Sequence, residues 1–244
     1  PGQKIWITEA TLQDDYLRVL NVRSAVDMFD VTQRDQILER LRELIGQTEK
    51  AVVGIDFPFG FSQSAVSTES WPEFLSDFAT TFKQEGIEAF PGKYETEGRS
   101  KREIDHRYGG QSPLSLQVKY QVFFGLRDVL HPLVSNDKVR VAPMQAHDSA
   151  ETTVIEVYPA ATFGAERLYR TGYKYNDEQS RRRRRENVIG LREHENMIIE
   201  NGIVEKVTQS DHALDSLCAA FAVRRALNQG LDREHKSVEG HIYA

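Results

Sequence analysis

VVGIDFPFGFS, residues 52–62, decides how the chain is read. Val52, Val53, Gly54 and Ile55 form a short apolar run of the kind that becomes a fully buried strand, and Asp56 closes it directly before Phe57, Pro58 and Phe59. An ionised carboxylate at the end of a core strand needs a cation, several hydrogen-bond donors or a bound metal ion, because burying it unpaired is costly. The remainder of the chain has to supply that partner.

A second run echoes the first. Residues 152–158 (TTVIEVY) are again apolar, carry Glu156 near the end and run into Pro159. In open α/β sheets ligands collect beyond the carboxyl ends of strands, so acids at two such ends are candidates for one site. Upstream, residues 4–12 and 17–22 are rich in β-branched and aromatic side chains, and residues 13–16 between them read as a turn, which predicts a hairpin. Thr32 precedes a helical pattern through Ile37, Leu38, Leu41 and Leu44 that stops at Gly46.

From residue 63 to about 148 the pattern is mostly helical. Trp71, Phe74, Phe78 and Phe82 fall at helical spacing and read as core, a second helix is expected over residues 116–130, and residues 91–113 between them read as a loop. Residues 179–203 read as one long polar helix. Residues 211–228 read as a core helix, capped by Ser210 and stopped by Gly230.

At 244 residues the chain is long enough for one large domain, here residues 1–244 with 63–150 as a mainly helical insertion. With 39% hydrophobic and 28% charged residues, and no apolar stretch long enough to span a bilayer, the expectation is a chain without a membrane segment. The single cysteine, Cys218, excludes an internal disulfide and points to a cytoplasmic location. Pro1-Gly2-Gln3 shows neither an initiator Met nor a secretory signal, so the chain reads as trimmed. A net charge of −6 repels nucleic acid on average, so such binding requires a local basic patch or bridging cations.

Asp211 and Asp215, four apart, share one face of the last helix. Acids favour helix N-termini, which accounts for Asp211, whereas Asp215 is flanked by Ala213, Leu214, Leu217 and Cys218. Asp56, Glu156, Asp211 and Asp215 are therefore the candidate catalytic acids, and such a carboxylate set suits hard divalent cations, Mg²⁺ or Mn²⁺. Arg102, Arg107, Lys119 and Arg127, with Arg99, Lys101 and Tyr108 around them, are candidates for gripping substrate phosphates. The alternative for this basic stretch is a solvated face paired with Glu95, Glu97, Glu103 and Asp105. Five consecutive arginines, residues 181–185, cover every direction around a helix and read as mostly solvated. No nucleophile elbow, phosphate-binding loop, dinucleotide fingerprint or H-E-x-x-H helix is present.

Gly54-Ile55-Asp56-Phe57-Pro58-Phe59-Gly60, Lys101-Arg102-Glu103-Ile104-Asp105-His106-Arg107, Glu156-Val157-Tyr158-Pro159-Ala160-Ala161, Asp211-His212-Ala213-Leu214-Asp215-Ser216 and Glu239-Gly240-His241-Ile242 together, in that order, resemble the family known as domain of unknown function 429. The resemblance implies an α/β, ribonuclease H-like mixed sheet with flanking helices, and a metal-dependent nuclease or phosphodiesterase. It implies Asp56, Asp211 and Asp215 as metal ligands, and nucleic acid or a small phosphoester as substrate. Family members usually begin with a strand carrying Gly-x-Asp, and this chain starts where the second strand is expected. A non-catalytic nucleotide-, nucleic-acid- or protein-binding module on the same scaffold, with Asp56 held by an arginine such as Arg102, stays open as an alternative. So does a sugar-kinase-like phosphoryl-transfer enzyme.

Overall fold

The computed structural model describes residues 4–94, 101–146, 151–194, 197–231 and 237–244. In chain order the elements are β1 (Trp6–Gln13), β2 (Tyr16–Ser24), α1 (Ala25–Phe29), α2 (Arg34–Gln47), β3 (Val52–Ile55), α3 (Trp71–Thr81), α4 (Phe90–Tyr94), α5 (Glu103–Tyr108) and α6 (Lys119–Phe124). A π-helical segment (Gly125–Leu130) leads into α7 (His131–Ser135), followed by β4 (Arg140–Ala142), β5 (Thr153–Val157), α8 (Pro159–Ala165), α9 (Glu178–His194), β6 (Met197–Ile198), α10 (Asn201–Gln209), α11 (Asp211–Gln229) and β7 (Ile242–Tyr243). This is a mixed α/β chain. It divides into two compact units, the first made of Pro1–Arg40, Val157–Gln229 and Tyr243–Ala244, the second of Leu41–Glu156 and Gly230–Ile242.

In the first unit β1 and β2 pair antiparallel across a two-residue turn in which Asp14 takes a positive φ of 54°. β6 joins β2 in parallel, giving the order β1-β2-β6. Alternation in β2 buries Leu17 and Val19 while Tyr16, Arg18 and Leu20 point to solvent, and a register shift opposite Glu9 and Ala10 brings Val22 into the same core. Onto that face packs α11, whose Leu214, Leu217 and Phe221 complete a core with Phe163, Val188 and Leu191. Ser210 Oγ accepts from Ala213 N at 3.2 Å and starts this helix, and Gly230, at a φ of 85°, follows its end.

In the second unit β3, β5 and β4 pair in parallel in that order, and β7 pairs with β5. Every residue of β5 is buried, as expected for a central parallel strand. Beside the sheet's residues, an aromatic core gathers Phe61, Phe74, Phe78, Phe82, Phe90 and Phe123, with Tyr94 stacked on Phe61 at 4.6 Å between ring centroids. Burial, reinforced by the charge of Asp77, pushes the Tyr94 hydroxyl up to about 12.

The hairpin, the Trp71 helix, the Glu156 strand and the Asp211 helix lie where the pattern put them. Four expectations are corrected. β3 is half-buried throughout, because it lies at the end of the strand order and not between two neighbours. Residues 91–113 are not one loop: α4 and α5 occupy parts of the stretch, each too short to show a period, while residues 95–100 lie outside the described residues. The strand β4 was hidden inside a segment read as helical. The polar helix expected over 179–203 ends at His194, and β6 and α10 follow, since Met197 and Ile199 turn into the core.

Gly125 opens the π-helical segment where a Cβ would overlap the Phe57 ring. Alanine gains about 1 kcal/mol of helix propensity over glycine, but overpacking a rigid ring costs about 1–3 kcal/mol. Gly125→Ala is therefore expected to lower the urea midpoint at an unchanged m value, whereas a raised midpoint would show that Phe57 yields at no cost.

Candidate functional site

Two clusters of charged side chains were assembled by the fold, one in each unit. In the second unit Arg102 precedes α5 as its N-cap and is buried to 1% side-chain exposure. Its Nε donates to Asp105 Oδ2 at 2.9 Å, and its Nη2 to Asp105 Oδ1 at 2.8 Å and Glu156 Oε1 at 2.6 Å. Nη1 donates to Glu156 Oε2 at 2.9 Å and to the Glu239 carbonyl at 2.8 Å. All five guanidinium N–H groups are thereby used. Glu156 Oε2 also accepts from Phe59 N at 2.9 Å, directly after Pro58.

The Glu239 carboxylate accepts from Gln63 N at 2.9 Å and Glu103 N at 2.8 Å, tying residues 237–242 to the segment after β3 and to the start of α5. Gly240 follows at a φ of 84°, and a Cβ there would come within 3.0 Å of Glu156 Oε2 and 3.2 Å of Arg102 Nη1. That position requires glycine for both reasons.

The cluster holds one guanidinium for two carboxylates. Burial raises the Glu156 carboxyl above the ordinary carboxylate range, opposed by Arg102 and by the Phe59 N–H. Burial acts against the Arg102 charge too, but Glu156 and Asp105 outweigh it and its basicity rises.

In the first unit Asp215 lies on α11, one turn after Asp211. Asp215 is buried, and its Oδ1 accepts from the Tyr173 hydroxyl at 2.7 Å while its Oδ2 meets Lys174 Nζ at 2.8 Å. The Lys174 side chain is 54% exposed, so this counter-ion reaches solvent. Beside them the hydroxyls of Thr8 and Ser216 meet at 2.6 Å. Asp211 is partly exposed, with His212 Nδ1 at 3.9 Å from its Oδ2.

Buried Arg184 fixes the loop that presents Tyr173 and Lys174: Nη1 donates to the Tyr173 and Tyr175 carbonyls at 2.6 and 3.1 Å, and Nε to the Thr208 carbonyl at 2.7 Å. Burial lowers the Arg184 basicity, with Asp211 partly compensating.

The residues singled out in the sequence thus fall into different surroundings. Glu156 and Arg102 meet as a sealed pair, the five donors of Arg102 being engaged by Asp105, Glu156 and the Glu239 carbonyl. Lys119 is buried, its ammonium 5.3 Å from the Tyr120 ring centroid. Arg127 forks onto Asp128 with two bonds of 2.8 Å and lies over the Phe123 ring at 4.7 Å. Arg107 is exposed on α5, and Arg99, Glu95 and Glu97 lie outside the described residues.

Asp56 is half-buried directly after β3 in the second unit, whereas Asp211 and Asp215 belong to the first. Among the described residues no group of three or more His, Cys, Asp or Glu side chains is gathered so as to hold a metal ion. Tyr173, Lys174 and Glu239 were not assigned roles from sequence. Tyr173 and Lys174 stand about forty residues before Asp215, with no periodicity linking them.

Residues 134–236 match the family model described as protein of unknown function (DUF429). The DUF429 segment contains Glu156, Tyr173, Lys174, Asp211 and Asp215, and begins after Asp56 and Arg102. No curated protein and no solved structure matches the chain significantly. Among the described residues, no helix is long and apolar enough to cross a membrane.

Breaking a buried ion pair by removing one partner costs about 3–5 kcal/mol, and Arg102→Met is expected to fall in that range in urea denaturation at neutral pH. It leaves Glu156 buried without its cation, so the folded-state pKa of Glu156 rises further above the unfolded one. Carboxyls raised in this way contribute most below their unfolded pKa and lose that contribution as pH rises through the folded value. Acidification from about pH 7 to about pH 5 should therefore narrow the gap between variant and parent. A gap independent of pH would mean that the Glu156 carboxyl is not the seat of the loss.

Proposed function

We propose that this chain is a metal-dependent phosphodiesterase on a ribonuclease H-like scaffold, with Asp211 and Asp215 as its acidic pair. The scaffold reading is supported by the order of elements: an antiparallel hairpin, a helix, two parallel strands β3 and β5, and a long closing helix with acids in its first turns.

The single observation that carries the functional reading is the counter-ion of Asp215. Glu156 is neutralised by an arginine sealed in the core. Asp215 is neutralised by a half-exposed lysine, which another cation can displace.

Magnesium is commonly held by one or two carboxylates together with waters and substrate phosphates, so two acids on one helix face suit it, with the Lys174 ammonium standing where a cation is wanted. A bound Mg²⁺ or Mn²⁺ would supply an activated water and charge neutralisation at phosphorus. The chain's own residues do the rest: Tyr173 orients the Asp215 carboxylate, Arg184 fixes the loop that presents it, and a displaced Lys174 is left beside the site to meet a phosphate oxygen.

Thermal unfolding scanned against Mg²⁺, Mn²⁺ and Ca²⁺ tests this, since an ion that binds the folded state alone raises the midpoint with its concentration. The parent midpoint should rise, Asp215→Asn should abolish the rise, and Lys174→Gln should shift the onset to lower ion concentration. The Lys174 pair is half exposed, so its loss should itself cost no more than about 1 kcal/mol. Hydrolysis of a chromogenic phosphodiester should follow the same order of ion dependence. No midpoint shift with any ion would remove the metal reading and leave a non-catalytic binding module, in which Lys174 is the permanent partner of Asp215.

A further inference from the structure

Between residues 167 and 185 the chain carries eight Lys and Arg residues against two Asp and Glu, in a protein whose net charge is −6. The fold assembles this stretch into one surface of the first unit. The Asn187 side chain, wholly buried, donates to the Tyr169 carbonyl at 2.9 Å and accepts from Tyr169 N at 2.8 Å. Ser180 Oγ and Arg183 Nη1 both donate to the Gly172 carbonyl, at 3.0 and 3.2 Å, and Arg184 grips the carbonyls on either side of Lys174. The backbone is therefore pinned along α9 while its side chains face outward.

Two of those side chains are aromatic. Tyr175 is 67% exposed and Tyr169 43%, the latter with the Arg183 guanidinium 5.4 Å from its ring centroid. Arg181, Arg185 and Arg192 follow one another on the exposed side of α9 at helical spacing.

Two of the acids nearby are engaged, while Glu178 stays exposed in the first turn of α9. Glu186 pairs with Arg182 at 2.9 Å, and Asp177 accepts from Ser180 N at 2.7 Å at the start of α9. Basic side chains interleaved with solvent-facing rings on a fixed backbone match a flexible polyanion that offers both phosphates and flat apolar faces. A duplex hides its base faces, and an anionic membrane has none.

We propose that residues 167–175 and the exposed side of α9 form a track for single-stranded nucleic acid. Arg181, Arg185 and Lys174 meet phosphates, Tyr169 and Tyr175 stack on bases, and the strand passes Asp215 at Lys174. The proposal rests on the phosphodiesterase reading for the fate of the strand and makes its substrate a polymer. Binding itself needs no cleavage.

The test is fluorescence anisotropy with labelled oligothymidylate and oligouridylate, without divalent cations, against a duplex of the same length. With Lys174 held by Asp215 when divalent cations are absent, the two phosphate contacts of Arg181 and Arg185 predict a slope of about −1.4 for log affinity against log salt between about 50 and 200 mM. The double variant Arg181→Glu with Arg185→Glu should weaken binding by about 30-fold or more and flatten the slope. Tyr175→Ala should weaken it by about 10-fold at an unchanged slope, and Tyr175→Phe, which keeps the ring, should restore it. Unfolding midpoints of these surface variants check that each is folded.

Equal binding by the charge-reversed variant, preference for the duplex, or binding to phosphatidylserine vesicles in place of oligonucleotide would each overturn the track. Asp215→Asn separates the two readings. Cleavage by that variant as fast as by the parent sinks the catalytic role of Asp215 and leaves the track standing. Absent oligonucleotide binding sinks the track even if a small phosphodiester is hydrolysed.

Discussion

A guanidinium with every N–H taken holds four stretches of the second unit in register. Arg102 brings together the end of β5 through Glu156, the first turn of α5 through Asp105, and residues 237–242 through the Glu239 carbonyl. Glu156 in turn receives the N–H of Phe59 after β3. None of these segments could hold its polar groups in a dry interior alone. The bidentate geometry explains why an arginine is required, since lysine has no fork to span two carboxylates. Such a pair is no measure of stability by itself, because desolvation consumes much of the attraction. Its effect is to define where the chain after β3 and the chain before β7 must lie, and the close fit of Gly240 against both charged groups follows from that.

The first unit uses the same chemistry with the opposite exposure. Both oxygens of Glu156 meet Arg102, whereas Asp215 has the Tyr173 hydroxyl on one oxygen and, on the other, the ammonium of a half-exposed lysine. A compact ammonium on a flexible chain exchanges readily with other cations, whereas a forked guanidinium in the core does not. Two carboxylates that look alike in sequence, each next to apolar residues, therefore differ in surroundings: the cation of Glu156 is sealed in the core and that of Asp215 is half exposed. The arginine run of α9 divides likewise. Arg184 is spent on three carbonyls in the interior, and its neighbours at the same density of charge remain at the surface.

Much of the fold was legible because it rests on local periodicity. The β-branched and apolar residues of 17–22 beside a turn marked β2, the 3.6-residue spacing of Trp71, Phe74 and Phe78 marked α3, and the apolar run with a Ser210 cap marked α11. Elements shorter than two periods left no such trace, which is why α4, α5, β4 and β6 were missed or merged into their neighbours. The candidate acids were legible as anomalies, charges set in apolar surroundings. What each was paired with was not, because Arg102 lies 54 residues from Glu156 and Lys174 lies 41 residues from Asp215.

By itself the sequence determined which residues had to be explained: Asp56, Glu156 and Asp215 each break an apolar run, and a charge in such a place must find a partner. It also determined the mixed α/β character, since strand and helix periods are written into consecutive side chains. Only the tertiary structure decided the partners and their exposure. Those depend on which distant segment supplies the cation, and on whether the side chain carrying it is packed in the core, as at Arg102, or half exposed, as at Lys174.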